Sequence, residues 1–154
     1  MTQFAVTRRM AHSPAELYAI AADVAQYSKF VPLCTASSEG AHVTDAQGRE
    51  CFRGILTIAY PKLALAETLR SDVMADPARL MVRAVASEGP VKHLENRWAF
   101  RPDGKGGTEV EFSVDFTMSS RILHGVVTGL FDYAMRKIMG AFELRAETLY
   151  GRRG

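Results

Sequence analysis

Residues 108–118 read TEVEFSVDFTM, and after Ser119 and Ser120 they lead into residues 121–150, RILHGVVTGLFDYAMRKIMGAFELRAETLY. In the first stretch every second residue is apolar, which is the period of a half-buried strand. In the second stretch apolar residues recur every three or four positions, as in an amphipathic helix. A serine at 119 or 120 can cap that helix. This junction predicts a strand with one apolar face, followed by a long helix that covers it.

The predicted helix runs from Ser119 or Ser120 to about Tyr150. Thirty residues correspond to about 45 Å, which is enough to cross a whole sheet. We expect two rows of residues to face that sheet. The main row is Ile122, Val126, Leu130, Ala134, Ile138, Phe142, Arg145 and Leu149, and Leu123, Val127, Phe131 and Met135 widen it.

The preceding residues have the pattern of an antiparallel sheet. Residues 2–11 alternate as a strand, residues 13–16 (SPAE) have the serine, proline and glutamate of a helix start, and residues 26–31 suit one more helical turn. Further strands are predicted at 37–43, 50–60, 63–73, 79–87 and 93–101. Because short turns join them, neighbouring strands should run antiparallel. The expected architecture is an α+β fold with a curved antiparallel sheet of about seven strands, two short helices after the first strand, and the long C-terminal helix. We expect one domain over residues 1–150 and a short, frayed basic tail at 151–154.

The composition argues against several classes of protein. The chain has 154 residues, of which 47% are hydrophobic and 23% charged, as in globular domains. It has 19 basic and 17 acidic residues, so nothing indicates a DNA-binding surface. Residues 1–13 lack the apolar segment of a secretory signal, and no stretch approaches the roughly 18 apolar residues of a spanning helix. We therefore expect a soluble cytoplasmic protein that can associate peripherally with the inner membrane.

Catalytic and metal-binding patterns are missing from the sequence. It contains no GxSxG, P-loop or HExxH motif, and no GxGxxG after a predicted strand. Its four histidines are dispersed, and Cys34 and Cys51 do not form a CxxC pair. We predict no catalytic residue, no metal site and no catalytic cofactor.

Two features favour a cavity between the sheet and the long helix. Gly125 and Gly129 lie inside the predicted helix, where they either permit close backbone packing or leave room for a ligand and a helix that can shift. Asn96 and Glu67 fall on apolar strand faces. Such groups either satisfy each other or nearby backbone, or they bind the polar head of a mostly apolar ligand.

Three separated segments resemble one family. Residues 27–34 (YSKFVPLC) resemble the Y-P-x-F-V-P-W-C segment of coenzyme Q-binding proteins, residues 89–100 (GPVKHLENRWAF) resemble their G-P-F-K-x-L-x-N-x-W-x-F strand, and residues 142–151 (FELRAETLYG) resemble their F-E-x-R-A-x-x-L-Y-G helix end. That family belongs to the START-like (SRPBCC) helix-grip superfamily, which also holds polyketide cyclases and plant lipid binders. Ser28, Leu33 and Val91 depart from the pattern and reduce the bulk at the expected cavity rim.

The resemblance implies a helix-grip fold and a function. It implies binding of a polyprenyl quinone that is handed to respiratory or biosynthetic machinery. A bacterial branch of the same family is described as a ribosome-association toxin that acts on the large subunit, and this is the alternative. That alternative requires a basic surface, for which Arg8, Arg9, Lys29, Arg49, Arg53 and the Arg152-Arg153 tail are the candidates. An enzyme of the cyclase or hydratase kind is a third and weaker reading, and Glu67 is its only acid–base candidate.

The predicted ligand site lies between the inner sheet face and the long helix. We expect a mouth formed by Val31, Pro32 and Leu33 with the Gly125 end of the helix. The residues predicted to line the cavity behind it are Phe52, Leu56, Leu65, Glu67, Asn96, Trp98, Phe100, Phe112, Phe116, Val126, Gly129, Leu130 and Met139.

Overall fold

A computed structural model describes residues 2–60 and 64–153. The strands are β1 Thr2–Met10, β2 Cys34–Glu39, β3 Val43–Thr44, β4 Glu50–Tyr60, β5 Leu65–Asp76, β6 Met81–Ala86, β7 Val91–Pro102 and β8 Thr108–Met118. The helices are α1 Pro14–Ala22 and α2 Arg121–Tyr150, and a short 3-10 helix, Val24–Lys29, follows α1. The first residue of the predicted strand 63–73 lies outside the described residues.

The strands form one curved antiparallel sheet in the order β1-β8-β7-β6-β5-β4-β2, and β3 pairs with β4. The α+β fold class is therefore confirmed. The sheet has eight strands where about seven were predicted, because the predicted strand 37–43 is two strands. Gly40 separates them, and its backbone N–H donates to the Arg53 carbonyl at 2.8 Å. β2 thus starts earlier than predicted, at Cys34, and ends at Glu39.

Helix α1 begins where the sequence places it. The Ser13 Oγ accepts from the Glu16 N–H at 3.2 Å, and the Ser13 N–H donates to the Glu16 Oε1 at 3.0 Å. This reciprocal pair satisfies two backbone donors that a helix start leaves unpaired. Leu17 and Ile20 are buried, so the helix packs on its apolar side.

Helix α2 has the predicted length, but its buried face differs from the predicted row. Ser120 caps it, since its Oγ accepts from the Leu123 N–H at 3.2 Å. Ile122 is 83% exposed and Leu149 is 49% exposed, so their placement against the sheet is wrong. A row at every fourth residue turns about 40° further around the helix at each step and cannot stay on one face. The fully buried residues of α2 are Phe131, Met139, Phe142 and Ala146.

The core is aromatic and centres on Phe142. Its ring lies 4.4 Å from the Trp98 ring on β7, 5.1 Å from the Phe30 ring and 5.6 Å from the Tyr27 ring, measured between centroids. Trp98 in turn lies 4.3 Å from Phe112 on β8. All three sequence segments that carry the family resemblance therefore meet at one side chain. This contact attaches the second half of α2 to the sheet and to the 3-10 helix.

The C-terminal tail is docked rather than frayed over its described part. The His12 Nε2 lies 2.7 Å from the Gly151 carbonyl oxygen, and His12 is buried. Arg153 forms an ion pair with Glu16, in which one N–O distance is 2.9 Å. The Arg153 guanidinium is the largest influence that lowers the pKa of Glu16, to about 2, and the Ser13 N–H adds to it. The end of the chain is therefore fixed to the start of α1.

His42 lies between two carboxylates beside β3. Its Nε2 is 2.6 Å from the Glu39 Oε1, its Nδ1 is 3.5 Å from the Glu50 Oε2, and its ring stacks on Phe52 with 4.2 Å between centroids. The hydrogen bond to Glu39 is the largest influence that raises the pKa of His42. Protonated His42 therefore ties β2, β3 and β4 together.

Replacing Phe142 with alanine should destabilise the protein by about 3–5 kcal/mol, because it removes a buried ring from the centre of the core. Equilibrium urea unfolding measures this. Leu144→Ala is the control on the same helix: Leu144 is 62% exposed, and its loss should change the free energy of unfolding by no more than about 0.5 kcal/mol. Equal effects of the two changes would contradict the central role of Phe142.

The contact of His42 predicts a pH dependence of stability. A raised folded-state pKa means that its contribution is fully present below the unfolded value of about 6.5, and is lost as the pH rises through the higher folded-state pKa. Urea midpoints of the wild type and of His42→Gln should therefore differ most at pH values below about 6.5 and converge at alkaline pH. A difference that stays constant with pH would show that the ring contributes only by stacking.

Candidate functional site

The apolar side chains on the inner face of the sheet become less buried along β4 and β5. Phe52 and Val73 are paired across these strands and both are buried in the core. Further along the same face the register pairs Leu56 with Leu69, Ile58 with Glu67, and Tyr60 with Leu65. These apolar side chains are only half-buried, and of them only Leu56 packs against the core. The inner face is therefore filled at one end and partly open at the other.

The first half of α2 also carries half-buried apolar side chains. Leu123, Val126 and Leu130 are half-buried and are not part of the core cluster. They recur at steps of three and four residues, so they share one side of the helix. Of the three, Leu123 borders one hollow with Glu67 and Thr68 of β5. We group these half-buried helix and strand residues under the name aliphatic groove. Its members are Leu56, Ile58, Tyr60, Leu65, Leu69, Leu123, Val126 and Leu130.

An open hollow of about 550 Å³ lies at one end of this groove. It forms because β6 pairs only with residues 72–76 of β5, and among the described residues no strand pairs with residues 65–71 on that side. The turn before β7 and the start of α2 border the gap. Its lining residues are Ala66, Glu67, Thr68, Arg70, Gly89, Pro90, Ser119, Ser120 and Leu123.

Hydrogen bonds hold the start of α2 beside the hollow. The Ser119 N–H donates to the Pro90 carbonyl at 2.9 Å, and the Ser119 hydroxyl donates to the Gly89 carbonyl at 2.9 Å. The Met118 N–H donates to the His124 Nδ1 at 3.2 Å. The proton of neutral His124 therefore lies on Nε2, which is 3.2 Å from the Thr2 hydroxyl oxygen. These polar contacts position the first turn of the helix, and the His124 ring also packs on the Phe116 ring at 5.3 Å between centroids.

The structure places five of the predicted lining residues in the groove or the hollow. Leu56, Leu65, Val126 and Leu130 belong to the groove, and Glu67 borders the hollow. Glu67 is exposed, whereas the strand pattern predicted a carboxylate enclosed among apolar residues. Its carboxylate is therefore hydrated at the opening.

A second set of predicted lining residues lies in the packed core. Strand alternation cannot separate a side chain that lines a space from one that fills it, because both point to the same face. The residues that the structure buries in the core cluster are Phe52, Trp98, Phe100, Phe112, Phe116 and Met139.

Asn96 and Gly129 also differ from the predicted lining. The Asn96 Nδ2 donates to the Ser113 carbonyl at 3.2 Å, so nearby backbone satisfies the amide. Gly129 is exposed, and a Cβ there would meet nothing within 4 Å. It lies two positions before buried Phe131, which places the two on nearly opposite sides of the helix. Gly129 therefore faces away from the core, and close packing does not explain it.

The predicted mouth residues follow the 3-10 helix. Val31 packs against the core, Pro32 is half-buried, and Leu33 is 38% exposed. Leu33 has a φ of 68° and its carbonyl accepts from the Ala59 N–H at 2.9 Å, which fixes it beside the last residues of β4. Residues 58–60 and 65–67 lie at the end of the sheet that holds the hollow, so Leu33 lies at that end too.

Sequence reasoning missed four residues of the groove. Ile58 and Tyr60 continue the alternation that includes Leu56, so strand parity alone could have identified them. Leu69 is opposite Leu56, but this pairing depends on the register of the β4–β5 hairpin. Leu123 was assigned to the helix side that faces the sheet, but its position at the hollow depends on the short β6.

The described residues contain neither a cluster of three or more potential metal ligands nor a helix apolar and long enough to span a membrane. Cys34 is buried, and burial raises the pKa of its thiol.

Most of the arginines proposed for a basic surface are paired with carboxylates. Arg8 lies 2.7 Å from Glu143, Arg9 lies 2.6 Å from Asp103, and Arg49 lies 2.7 Å from Asp45. Arg53 pairs with Asp72 and Glu88, and Arg153 pairs with Glu16. These cations are therefore largely neutralised within the chain.

A long C-terminal helix gripped by a curved antiparallel sheet defines the helix-grip, START-like class of proteins. The model of the family described as polyketide cyclase/dehydrase and lipid transport matches residues 10–143. The chain belongs to this family, as the three sequence segments predicted.

Two relatives and one solved structure resemble the whole chain or most of it. The ribosome association toxin of Rickettsia prowazekii is 29% identical over 150 residues, covering 96% of this chain and 97% of the relative. The mitochondrial coenzyme Q-binding protein of Schizosaccharomyces pombe is 30% identical over 128 residues, covering 81% of this chain and 74% of the relative. The solution structure of an 18 kDa protein from Caulobacter crescentus is 28% identical with a TM-score of 0.81, covering 99% of this chain and 100% of that one.

Gly129→Ala should raise the free energy of unfolding by about 0.5–1 kcal/mol, because alanine favours a helix and its Cβ enters open space. Gly54→Ala is the contrasting change, since its Cβ would lie 3.1 Å from a Val73 methyl and 3.4 Å from a Val24 methyl. We expect no gain in stability there. Destabilisation by Gly129→Ala in urea unfolding would place Gly129 against another part of the protein.

Proposed function

We propose that this protein binds an elongated apolar ligand of the polyprenyl quinone class in the aliphatic groove and delivers it to respiratory or biosynthetic machinery. One observation carries the proposal. The apolar side chains of Ile58, Leu65 and Leu69 share the inner face of β4 and β5 and remain half-buried, although the rest of that face is packed. Half-buried leucines and isoleucines gain most from an apolar occupant.

The chemistry of the groove fits an isoprenoid tail. Its half-buried side chains are mostly aliphatic, and such a tail needs burial but no specific polar partner. Burial contributes about 25 cal/mol per Å² of apolar surface, so two or three isoprene units support micromolar binding after the cost of association. The hollow offers polar atoms of Glu67, Thr68 and Ser120 to a head group. The family, and the coenzyme Q-binding relative within it, support this ligand class.

Under this proposal the protein catalyses no reaction, uses no catalytic cofactor and does not bind DNA. Its expected place is the cytoplasm, with peripheral association at the inner membrane, where an apolar quinone resides. Glu67 is the acid–base candidate for a cyclase-like or hydratase-like reaction, but it is exposed at the hollow. The other described residues that line the hollow include no carboxylate, histidine, lysine or cysteine that could act with it. The Arg70 guanidinium also lines the hollow, but it is not suited to acid–base catalysis.

Ribosome association is the second candidate function. The similarity to a ribosome association toxin over 150 residues favours it. The internal ion pairs of Arg8, Arg9, Arg49 and Arg53 weigh against it, because an RNA phosphate would have to replace a carboxylate at each of them. We therefore rank it below ligand delivery.

The deciding experiment is extraction of the native protein. The chain is purified gently from a quinone-producing bacterium, extracted with organic solvent, and the extract is analysed by mass spectrometry. The proposal expects a polyprenyl quinone at a stoichiometry near one. An empty extract, combined with co-sedimentation of the protein with ribosomes in a sucrose gradient, would reverse the ranking of the two functions.

Ile58→Trp should reduce the bound quinone at least about tenfold, because its side chain fills part of the groove and removes apolar contact with the tail. The matched control is Thr57→Trp, whose side chain projects from the opposite face of the same strand. Both variants are extracted as above after their fold is verified by circular dichroism. Equal quinone content in two folded variants would place the ligand outside the groove.

A further inference from the structure

Helix α2 carries a line of exposed apolar side chains on its outer side. Ile122 is 83% exposed, Tyr133 is 63% exposed and Leu144 is 62% exposed. They are spaced by eleven residues, and eleven residues make just over three complete turns, so each is rotated only about 20° from the last. We call these three residues the outer strip. It extends for about 33 Å along the helix.

The outer strip is not explained by packing within the chain. Tyr133 lies two residues from buried Phe131 and therefore on nearly the opposite side of the helix. Large apolar side chains exposed on one side of a helix can insert into a lipid interface. The Lys137 Nζ lies 5.1 Å from the centre of the Tyr133 ring. A tyrosine beside a lysine is typical of side chains at the boundary between lipid and water.

The charges around the strip are positive. Between residues 121 and 145 the only carboxylates of α2 are Asp132 and Glu143. Asp132 lies 2.9 Å from Arg136, and Glu143 lies 2.7 Å from Arg8. Both acids are thus neutralised.

Several cations beside the strip have no carboxylate partner. Arg121, Arg70 and Lys137 have no carboxylate within 4.0 Å among the described residues, although most other arginines do. Arg121 adjoins Ile122, and Arg70 lines the hollow. Glu67 is the opposing charge at that opening. An apolar line with unpaired cations at its start complements a surface that is apolar inside and negatively charged outside.

We propose that α2 docks on an anionic lipid bilayer through the outer strip, with Arg121 and Arg70 against the lipid phosphates. A second copy of the chain fits the strip less well. A stable protein interface buries about 800 Å² on each partner and needs complementary shape, which one line of three side chains does not provide. A bilayer needs no such shape. Docking in this orientation also brings the hollow next to the membrane, where an apolar ligand partitions.

The test is flotation of the full chain with vesicles made from equal parts of phosphatidylglycerol and phosphatidylcholine, without quinone. We expect binding that weakens as salt is added. Ile122→Ser combined with Tyr133→Ser should lower the partition coefficient at least about tenfold, because two inserted side chains are lost. The matched control is Val43→Ser, since Val43 is 66% exposed on β3, away from α2. Its partition should equal that of the wild type.

The electrostatic part is tested by Arg121→Gln, which should weaken binding about fivefold, the effect of one basic side chain at an anionic surface. Arg79→Gln, a change of an exposed arginine in the turn before β6, should have no effect. Absence of wild-type flotation, or unchanged flotation of the double variant, would overturn the proposal. So would a dimer in size-exclusion chromatography that the double variant abolishes, since the strip would then bind a second copy.

The docking surface and the proposed ligand can fail separately. The double variant leaves the groove unchanged, so its quinone content on extraction should match that of the wild type. Loss of flotation with full quinone content supports both proposals. If the wild type floats with the vesicles but carries no quinone, the docking proposal stands and the proposed ligand is ruled out.

Discussion

The contact between Phe142 and Trp98 is the constraint on which the rest of the structure depends. It joins the second half of α2 to the centre of the sheet, and the Tyr27 and Phe30 rings close around it from the 3-10 helix. Aromatic rings bury large areas in a fixed geometry, so this cluster sets the position of the helix axis over the sheet. Nearer its start, α2 packs on the core through Phe131, whose ring lies 4.5 Å from the Phe116 ring and 6.1 Å from the Phe4 ring.

Hydrogen bonds to backbone groups hold the first turn of α2. Ser119 and His124 form hydrogen bonds to backbone groups of the β6–β7 turn and the end of β8. Hydrogen bonds at the surface contribute about 0.5–1.5 kcal/mol each, far less than a buried aromatic cluster. Gly125 and Gly129 weaken the helix further here. The start of α2, which borders the hollow, is thus its less stable end, and an apolar ligand of the proposed size can enter by moving that end.

The sequence determines the elements better than it determines the site. Alternation located β8, and the serine cap with a continuous apolar pattern located α2. The helix row failed at Ile122 because a spacing of four drifts around the helix. At Trp98, parity gave the face of the sheet but not the packed surroundings of the side chain. The hollow depends on how far β6 extends along β5, a pairing between residues remote in the chain. Neither strand sequence alone specifies this pairing, because it depends on the register between β5 and β6.

The distribution of charge separates the two surfaces of the molecule. On the sheet the arginines alternate with carboxylates across the strands: Arg83 lies 3.0 Å from Glu95, and Arg101 lies 2.8 Å from Glu109. Such pairs are worth little to stability, but they cancel the long-range field that attracts a polyanion. The cations of the hollow and of the first turn of α2 lack such partners among the described residues. At the start of α2, cations without such partners therefore lie beside an exposed apolar side chain, which favours a lipid surface over a nucleic acid, since RNA phosphates need cations but gain nothing from an exposed isoleucine.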